Sequence, residues 1–401
     1  MKLFCLIYGF LFITGVFAAP DEAILGKAEG YPLCPLAQAS QTRCLIGTVS
    51  RIDEIYPARK VPKGAEVLPL KRAAAEPPLR YSHTFGSSTL DEYLSRNRTT
   101  GLLVLKGDTI LVERYQYERK PEQRMTSYSM AKTIVSMLFG IALHEGKIKS
   151  LDDLAEAYVL ELKGHPYGAT PLRHLLSMSS GVRFTENYGG KDDVAELGRL
   201  TYGRQSEGGA ASVMPFRTRD RAAGEKFSYS SAETQVLGLV VRAATGRTLA
   251  EYASEKIWQP MGAEADANWL IDKGGYEMAY ASFNATLRDY ARLGMLLAND
   301  GARDGKQIIP AEWVRAATTA PAPQFQPGQA QSYWGYGYQT WIFPGDGRRF
   351  QLRGLRGQII CVDPQTKVVV VHTAAREVGN DPGYQEQTTM CMGMMDSLAK
   401  L

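Results

Sequence analysis

The hydrophobic pattern predicts strands near both ends of the chain. Apolar runs at 102–105 and 109–112 flank Lys106-Gly107-Asp108, and this arrangement is typical of a β-hairpin. Four further strands are predicted late in the chain, at 338–343, 350–353, 358–362 and 367–373. Because strands occur at both ends, we predict one antiparallel sheet that is built from both ends of the chain.

Helical periodicity dominates the middle of the chain and its last residues. Ile134, Leu138 and Ile141 recur at helical spacing ahead of Gly146, which predicts a helix that begins near residue 129. Further helices are predicted at 170–181, 232–245, 286–301 and 384–401. The expected fold class is therefore α/β (α+β), an antiparallel sheet flanked by helices with an inserted helical subdomain.

These patterns also give the expected domain organisation. A segment at 19–85, rich in Pro, Ala and basic residues, is predicted to be an extended N-terminal arm that wraps around the main body. An α/β subdomain is expected at 86–165 and 302–401, and a mostly helical subdomain at 166–301. The two subdomains should close only together, as one catalytic unit.

The first 18 residues have the pattern of a secretory signal peptide. Lys2 precedes an apolar run that ends in Val16-Phe17-Ala18, and cleavage is expected after Ala18. An uncleaved anchor is the alternative. The apolar run is shorter than the roughly 20 residues that span a bilayer, so no stable membrane span is expected after cleavage. We therefore predict an exported protein, periplasmic or secreted. Its net charge of +4 does not indicate a nucleic-acid-binding protein.

Four cysteines remain after the expected cleavage. An oxidising compartment permits bridges, and separation along the chain favours Cys34–Cys44 and Cys361–Cys391. Three pairings are possible, and four buried thiols are an equally open alternative. The cysteine spacings and the five histidines contain no zinc motif, so neither a metal nor another cofactor is expected.

Ser129 and Lys132 are the first candidate catalytic residues. Positions three apart share one face of a helix, so the Lys132 amine should lie beside the Ser129 hydroxyl. An amine kept neutral by burial can accept the serine proton, and the start of a helix favours developing negative charge. S-x-x-K arises by chance about once in a chain of this length, and a solvent-facing lysine on a core helix is the competing interpretation.

Tyr229 and Ser231 lie just before the helix predicted from Ala232. A tyrosine beside the Lys132 ammonium should have a lowered pKa and could carry a proton to a leaving group. Ser231 could hydrogen-bond Lys132 or the substrate. A half-buried tyrosine at the start of a helix is the competing interpretation.

Gly354 and Leu355 lie at a glycine-rich strand edge, where a substrate can approach the backbone closely. The Leu355 N–H, together with that of Ser129, would form an oxyanion hole worth roughly 3 kcal/mol per donor. Tyr188 precedes two glycines and could close over the substrate. A plain turn and a plain mobile loop are the competing interpretations of these two segments.

Together, these elements resemble the serine β-lactamase and penicillin-binding-protein superfamily, in the branch of class C β-lactamases, family VIII esterases and 6-aminohexanoate-dimer hydrolases. Ser129-x-x-Lys132 is similar to the first motif, Tyr229-Ser230-Ser231 to the Tyr-x-Asn motif and Gly354-Leu355 to the third. The resemblance covers about residues 85–401. It implies a serine hydrolase that cleaves an amide or ester through an acyl-enzyme on Ser129. Whether Lys132 or Tyr229 is the first base stays open.

The departures from these motifs narrow the expected activity. Leu352-Arg353-Gly354 stands where a Lys-Thr-Gly motif would bind a β-lactam carboxylate, which weakens a dedicated β-lactamase interpretation. Arg353 or Arg356 could bind a carboxylate instead, and a simple surface role is as good an interpretation. The alternatives are an acylated sensor or peptide-binding protein with little turnover, a weak β-lactamase and a D-amino peptidase.

A conventional Ser-His-Asp hydrolase is a further alternative. It is disfavoured because the chain lacks a G-x-S-x-G segment, and we expect His372 to be structural. The expected partner is a small-molecule amide or ester. The sequence determines neither the identity of that molecule nor the oligomeric state.

Overall fold

The computed structural model describes residues 18–84, 86–379, 381 and 383–400, so the predicted signal peptide lies outside it except for Ala18. Within these ranges, no helix is long and apolar enough to cross a membrane. The α-helices of the described residues are α1 (Leu45–Arg51), α2 (Leu90–Arg96), α3 (Ala131–His144), α4 (Leu172–Leu176), α5 (Asp193–Thr201), α6 (Ser231–Thr245), α7 (Leu249–Ala253), α8 (Leu287–Ala298), α9 (Ala311–Ala317) and α10 (Gly383–Leu398).

The strands form one large sheet, one smaller sheet and two isolated pairs. The strands are β1 (Ala58–Val61), β2 (Lys71–Arg72), β3 (Arg80–His83), β4 (Gly86–Thr89), β5 (Thr99–Lys106), β6 (Thr109–Tyr115), β7 (Met125–Thr126), β8 (Ala267–Leu270), β9 (Phe283–Ala285), β10 (Ala302–Arg303), β11 (Lys306–Gln307), β12 (Gly335–Tyr336), β13 (Trp341–Ile342), β14 (Phe350–Gly354), β15 (Gln358–Asp363) and β16 (Val368–Ala374). The large sheet has the order β12-β13-β14-β15-β16-β5-β6-β2, and the smaller sheet has the order β1-β8-β9-β7.

The large sheet joins the two ends of the chain, as the sequence predicts. The late strand β16 pairs with the early strand β5, with Val370 opposite Val104. Each neighbouring pair in this sheet is antiparallel except β2 with β6, which is parallel. The predicted hairpin is also confirmed, since β5 and β6 are joined at Gly107.

Both faces of the large sheet are covered, because alternate residues of β5 enter two different cores. Leu103 and Leu105 pack in the core that contains α8, whereas Leu102 and Val104 pack in the core that contains α10. A Cβ added at Gly294 of α8 would collide with Val369 of β16. Because α8 lies on the sheet, we propose that the helical subdomain ends near residue 286 and not at the predicted residue 301.

The N-terminal arm is more ordered than the extended segment that we predict from its composition. It contains α1, most of which is buried, and it supplies β1 to the smaller sheet. Three apolar residues at helical spacing, Leu45, Ile46 and Val49, are buried and anchor this short helix. The prediction missed the helix because it relied on the Pro-rich composition of the surrounding segment. The Cys34–Cys44 bridge is present, which confirms that pairing.

Cys361 and Cys391 remain free thiols in the structure. They are buried, and their Sγ atoms lie 2.7 Å apart, on β15 and α10. The favoured Cys361–Cys391 bridge is therefore wrong for this structure, although the two residues are neighbours.

Two predicted elements are shorter than expected because of left-handed residues. The helix predicted at 170–181 ends at Leu176, since Met178 and Gly181 have φ values of 55° and 74°. The strand predicted at 338–343 shrinks to β13, since Gln339 has a φ of 61°. By contrast, α6 ends at a left-handed Gly246, as predicted.

Candidate active site

Ser129 lies in a tight 3-10 turn, Tyr128–Met130, between β7 and α3. Two hydrogen bonds to Phe283 hold the residue before the turn, because the Ser127 N–H donates to the Phe283 carbonyl (2.8 Å) and the Ser127 Oγ accepts from its N–H (3.0 Å). Tyr128 has a φ of 42°, which is uncommon for a residue with a side chain. The turn therefore presents Ser129 at a fixed position at the start of α3.

Lys132 is buried and bonds three oxygen atoms. Its Nζ lies 2.9 Å from the Ser129 Oγ, 3.0 Å from the Ser231 Oγ and 3.0 Å from the Tyr280 carbonyl oxygen. Only 1% of Lys132 is exposed. Burial lowers its pKa to about 8, and the negative charge of Glu186 partly opposes this shift. The amine is thus far easier to deprotonate than an ordinary lysine.

Tyr229 packs beside Lys132, as the sequence predicts. The Lys132 Nζ lies 4.9 Å from the centroid of its ring, and the ring stacks on Trp341 at 5.4 Å. The expected lowering of the Tyr229 pKa by the ammonium is wrong. Burial raises that pKa, and Glu186 raises it further, whereas a hydrogen bond to Ser129 and the charge of Arg353 lower it. Tyr229 is therefore protonated at neutral pH.

Glu186 is a site residue that sequence reasoning missed. Its carboxylate accepts hydrogen bonds from the Ser231 N–H (2.8 Å), the Ser231 Oγ (2.9 Å) and the Tyr188 hydroxyl (2.7 Å). A signal was available, since Ser231 begins α6 and the first N–H groups of a helix lack partners within it. Through these bonds Glu186 fixes both Ser231 and Tyr188. Tyr188 has a φ of 61°, and 38% of it is exposed.

Tyr280 was also missed, and no sequence signal could have found it. It contributes a backbone carbonyl to Lys132, and any residue type carries that group. Its position follows from the fold, because Tyr280 lies just before β9, the strand that pairs with β7 ahead of Ser129.

The strand edge at Gly354 and Leu355 lies against the Tyr128–Met130 turn, which carries Ser129. A Cβ added at Gly354 would collide with the Ser127 carbonyl oxygen, so only glycine permits this approach. Leu355 and Ser129 border the same cavities. The structure therefore brings together all seven predicted site residues, which are Ser129, Lys132, Tyr188, Tyr229, Ser231, Gly354 and Leu355.

The two candidate arginines differ in their surroundings. Arg356 is buried and donates to the Arg376 carbonyl at 2.9 Å, which is a structural contact. Arg353 is half-buried, and its guanidinium carbon lies 5.4 Å from the centroid of the Trp334 ring. Among the described residues, Arg353 has neither a hydrogen-bond acceptor nor an acidic partner. Burial lowers its pKa, and no acidic side chain of the described residues forms an ion pair with it.

His372 belongs to the packing of the sheet. Its Nε2 lies 3.0 Å from the Tyr93 hydroxyl, and its Nδ1 lies 2.8 Å from the Gly357 carbonyl oxygen. Burial lowers the pKa of His372 to about 3, so the imidazole is neutral at physiological pH. These contacts support the structural role that we expect from the sequence.

Two cavities meet at Ser129. The arm-side cavity, of about 630 Å³, is bordered by Ile52 and Tyr56 of the N-terminal arm, together with Tyr202. The Tyr229-side cavity, of about 730 Å³, is bordered by Tyr229 and Arg353. Both cavities share Ser129, Glu186, Tyr188, Leu355 and Val378.

Comparison with known proteins agrees with this geometry. The model of the Beta-lactamase family matches residues 88–388. The chain is 27% identical over 335 residues to the 6-aminohexanoate-dimer hydrolase of Paenarthrobacter ureafaciens, a match that covers 80% of this chain and 83% of that protein.

Solved structures give the same result. A Bacillus anthracis structure, provisionally described as a 6-aminohexanoate-dimer hydrolase, aligns with a TM-score of 0.81 at 25% identity, over 90% of this chain and 96% of that chain. EstCE1, a hydrolase with promiscuous acyltransferase activity, shares the fold with a TM-score of 0.58 at 15% identity, over 76% of this chain and 95% of that chain. The chain therefore belongs to the β-lactamase family, and it is a serine hydrolase of the β-lactamase and penicillin-binding-protein fold.

Proposed function

We propose that this protein cleaves a linear amide or ester through an acyl-enzyme on Ser129. The observation that carries the proposal is the buried Lys132 amine, which lies 2.9 Å from the Ser129 Oγ and has a pKa of about 8. The Paenarthrobacter relative, named for hydrolysis of the 6-aminohexanoate dimer, supports a linear amide as one substrate class.

The three contacts of Lys132 also support its role as the first base. A neutral amine has two N–H donors and one lone pair. The Tyr280 carbonyl can only accept a hydrogen bond, and the Ser231 hydroxyl donates its own proton to Glu186, so both contacts require an N–H from Lys132. The lone pair of the neutral amine is then left for Ser129, whose hydroxyl can donate. These contacts support Lys132 over Tyr229 as the first base, a choice that the sequence leaves open.

In the proposed reaction, the Ser129 Oγ attacks the substrate carbonyl carbon while its proton moves to the Lys132 Nζ. The N–H groups of Ser129 and Leu355 hold the oxyanion of the tetrahedral intermediate. Tyr229, protonated at neutral pH, gives its proton to the leaving nitrogen or oxygen and is reprotonated through Lys132. Water then attacks the acyl-enzyme with the same groups acting in reverse, which releases the acid and regenerates Ser129.

A substitution at the nucleophile tests the proposal directly. Ser129→Ala should abolish release of p-nitrophenol from p-nitrophenyl esters, and mass spectrometry should find the acyl group of the wild type on Ser129. Ser136→Ala is the matched control, because this buried serine lies on α3, the helix that follows Ser129, and its Oγ has no hydrogen-bond partner among the described residues. Labelling at another residue, or full turnover by Ser129→Ala, contradicts the proposal. One equivalent of product followed by no turnover favours the acylated sensor.

We also propose that the leaving group carries a carboxylate that Arg353 binds. The cation borders the Tyr229-side cavity and is half-buried. A half-buried guanidinium without an acidic neighbour among the described residues is suited to a bidentate contact with a carboxylate. Arg356, the other candidate, already bonds a carbonyl.

Export completes the proposal. It is supported by the predicted signal peptide and by the Cys34–Cys44 bridge, since such bridges persist in oxidising compartments. N-terminal sequencing of protein recovered outside the cytoplasm should begin at Ala19. A mature protein that retains Met1 contradicts cleavage.

A further inference from the structure

The arm-side cavity has a wall that comes from outside the residues matched by the family model. The arm residues on this wall precede residue 88, where the match begins. They are Ala39, Ser40, Thr48, Ile52 and Tyr56. The N-terminal arm therefore reaches the nucleophile, because Ser129 borders the same cavity.

This wall is held in place by several contacts. The Cys34–Cys44 bridge closes the loop that carries Ala39 and Ser40, and the Thr48 Oγ1 donates to the Ala39 carbonyl at 2.8 Å. Thr42 donates to Glu377 at 2.9 Å, next to Val378 of the same cavity. A substrate group in the cavity would thus meet a fixed surface.

The charged side chains that border the arm-side cavity are held by hydrogen bonds or ion pairs, and among the described residues neither Glu186 nor Asp192 has a basic partner. Glu186 accepts three hydrogen bonds, and Asp192 accepts from the N–H groups of Asn187 and Tyr188, both at 2.7 Å. Arg199 pairs with Glu196, and Arg356 bonds the Arg376 carbonyl. Most of the remaining wall is aromatic or aliphatic, with Tyr56, Tyr128, Tyr202, Ile52 and Val194 among its residues.

A negatively charged substrate group would therefore be buried here beside two carboxylates that no basic side chain of the described residues neutralises. Such burial is costly, whereas an apolar group gains free energy on leaving water. The Tyr229-side cavity differs, since it holds Arg353, with which no acidic side chain of the described residues forms an ion pair.

The position of Tyr229 indicates which half of the substrate enters which cavity. Tyr229 borders the Tyr229-side cavity and is absent from the described lining of the arm-side cavity. A proton donor must lie within hydrogen-bond reach of the leaving atom. The leaving group therefore occupies the Tyr229-side cavity, and the acyl group extends from Ser129 into the arm-side cavity.

We infer that the arm-side cavity binds an apolar acyl group without a negative charge, and that the N-terminal arm determines acyl specificity. The inference rests on the proposed function, since it assumes that Ser129 is acylated.

Three p-nitrophenyl esters with one leaving group test the inference on the full chain. The hexanoate adds four methylenes to the acetate, and the hydrogen adipate has a carboxylate in place of the terminal methyl group of the hexanoate. We expect kcat/KM for the hexanoate to exceed that for the acetate by about 10- to 200-fold, since each buried methylene contributes about fourfold. The hydrogen adipate should be at least about tenfold poorer than the hexanoate, because its charge would be buried beside the Glu186 and Asp192 carboxylates.

A matched pair of variants tests the role of the arm. Ala39 is half-buried and borders the cavity, whereas Ala37 is exposed and is not part of the described lining. Ala39→Phe should fill the cavity and lower kcat/KM for the hexanoate by about tenfold, with the acetate value unchanged within about twofold. Ala37→Phe should leave both values unchanged. Ala39→Phe could destabilise the fold, which a melting temperature below that of Ala37→Phe would reveal. In that case Ser40→Phe, which adds a ring at an exposed position of the same wall, is used in its place.

Each outcome bears on a separate statement. A hydrogen adipate ester that is cleaved as well as the hexanoate overturns the exclusion of a negative charge. An equal loss on acetate and hexanoate, or no loss, in the folded cavity-filling variant overturns the role of the arm. Failure of the proposed function looks different, because the wild type would then release no more p-nitrophenol from any of the three esters than Ser129→Ala does.

Discussion

The two cavities beside Ser129 share their chemistry and differ in their charge. Both are bordered by Ser129, Glu186, Tyr188 and Leu355. The arm-side cavity also contains the Asp192 carboxylate, which has no basic partner among the described residues, whereas the Tyr229-side cavity contains Arg353, which has no acidic partner among them. The comparison teaches that, under the proposed reaction, catalysis and selectivity depend on different residues, so that substitutions should remove each of them separately.

The largest expected effect is at Lys132, because both cavities depend on the same acylation step. Lys132→Ala should lower kcat/KM by about 10³-fold or more for every ester, since the serine loses its base. The measurement compares p-nitrophenyl acetate with p-nitrophenyl hexanoate. Lys147→Ala, at an exposed lysine just after α3, should change neither value. A loss confined to one of the two esters would contradict a shared step.

The second largest effect is expected at Arg353, and it should fall on one cavity alone. Arg353→Met should lower kcat/KM for 4-acetoxybenzoate by about 10- to 100-fold, because hydrogen bonds to charged groups contribute about 1.5–3 kcal/mol. Methyl 4-acetoxybenzoate, whose leaving group is neutral, is the matched control and should change by less than about twofold. Equal losses on both substrates would show that Arg353 has only a packing role.

The pH dependence should be the same for both cavities, since it reports Lys132. A base must be deprotonated to act, so kcat/KM should rise with pH and level off above the Lys132 pKa of about 8. Glu186 raises that pKa, so Glu186→Gln should move the midpoint to lower pH. A midpoint that moves to higher pH in Glu186→Gln would contradict this electrostatic role. Stopped assays from pH 6 to 10 with the acetate and the hexanoate give the two profiles.

The smallest effect on activity is expected from the disulfide, and it should fall on the arm-side cavity. Cys34→Ser/Cys44→Ser should lower the free energy of unfolding by about 2–3 kcal/mol, since the bridge closes a short loop. The ratio of hexanoate to acetate kcat/KM should fall a few-fold, because the loop that carries Ala39 is loosened. Urea unfolding and the two esters provide the measurements. The preference for 4-acetoxybenzoate over its methyl ester should stay the same, and a change in it would contradict the separation of the cavities.

The sequence predicted those parts of the molecule that follow from local periodicity. The β5–β6 hairpin, the late strands β14 to β16 and α6 with its Gly246 end are local patterns, and the structure contains them. The contacts of Ser129, Lys132, Tyr229 and Ser231 also agree with the prediction from motif order. For Ser129 and Lys132, local spacing was sufficient, because a helix turn sets the distance between them. The positions of Tyr229 and Ser231 were predicted from the order of the motifs.

The parts that the sequence did not predict depend on distant segments. Glu186 and the Tyr280 carbonyl reach the site from loops about 50 residues before and after Ser231, and neither contact leaves a spacing pattern. The direction of the Tyr229 pKa shift was wrong because burial is its largest cause, and burial depends on packing. The order of the arm was missed since α1 spans only seven residues.

The boundary at residue 88, between the N-terminal arm and the residues matched by the family model, has an evolutionary consequence. Residues 88–388 contain Ser129, Lys132 and Arg353, whereas the wall formed by Ala39 to Tyr56 lies before them. Two enzymes could therefore inherit the same catalytic core and differ in their acyl substrates through the N-terminal arm alone. Grafting another arm onto an unchanged core becomes a rational route to new acyl preferences, with the reaction itself preserved.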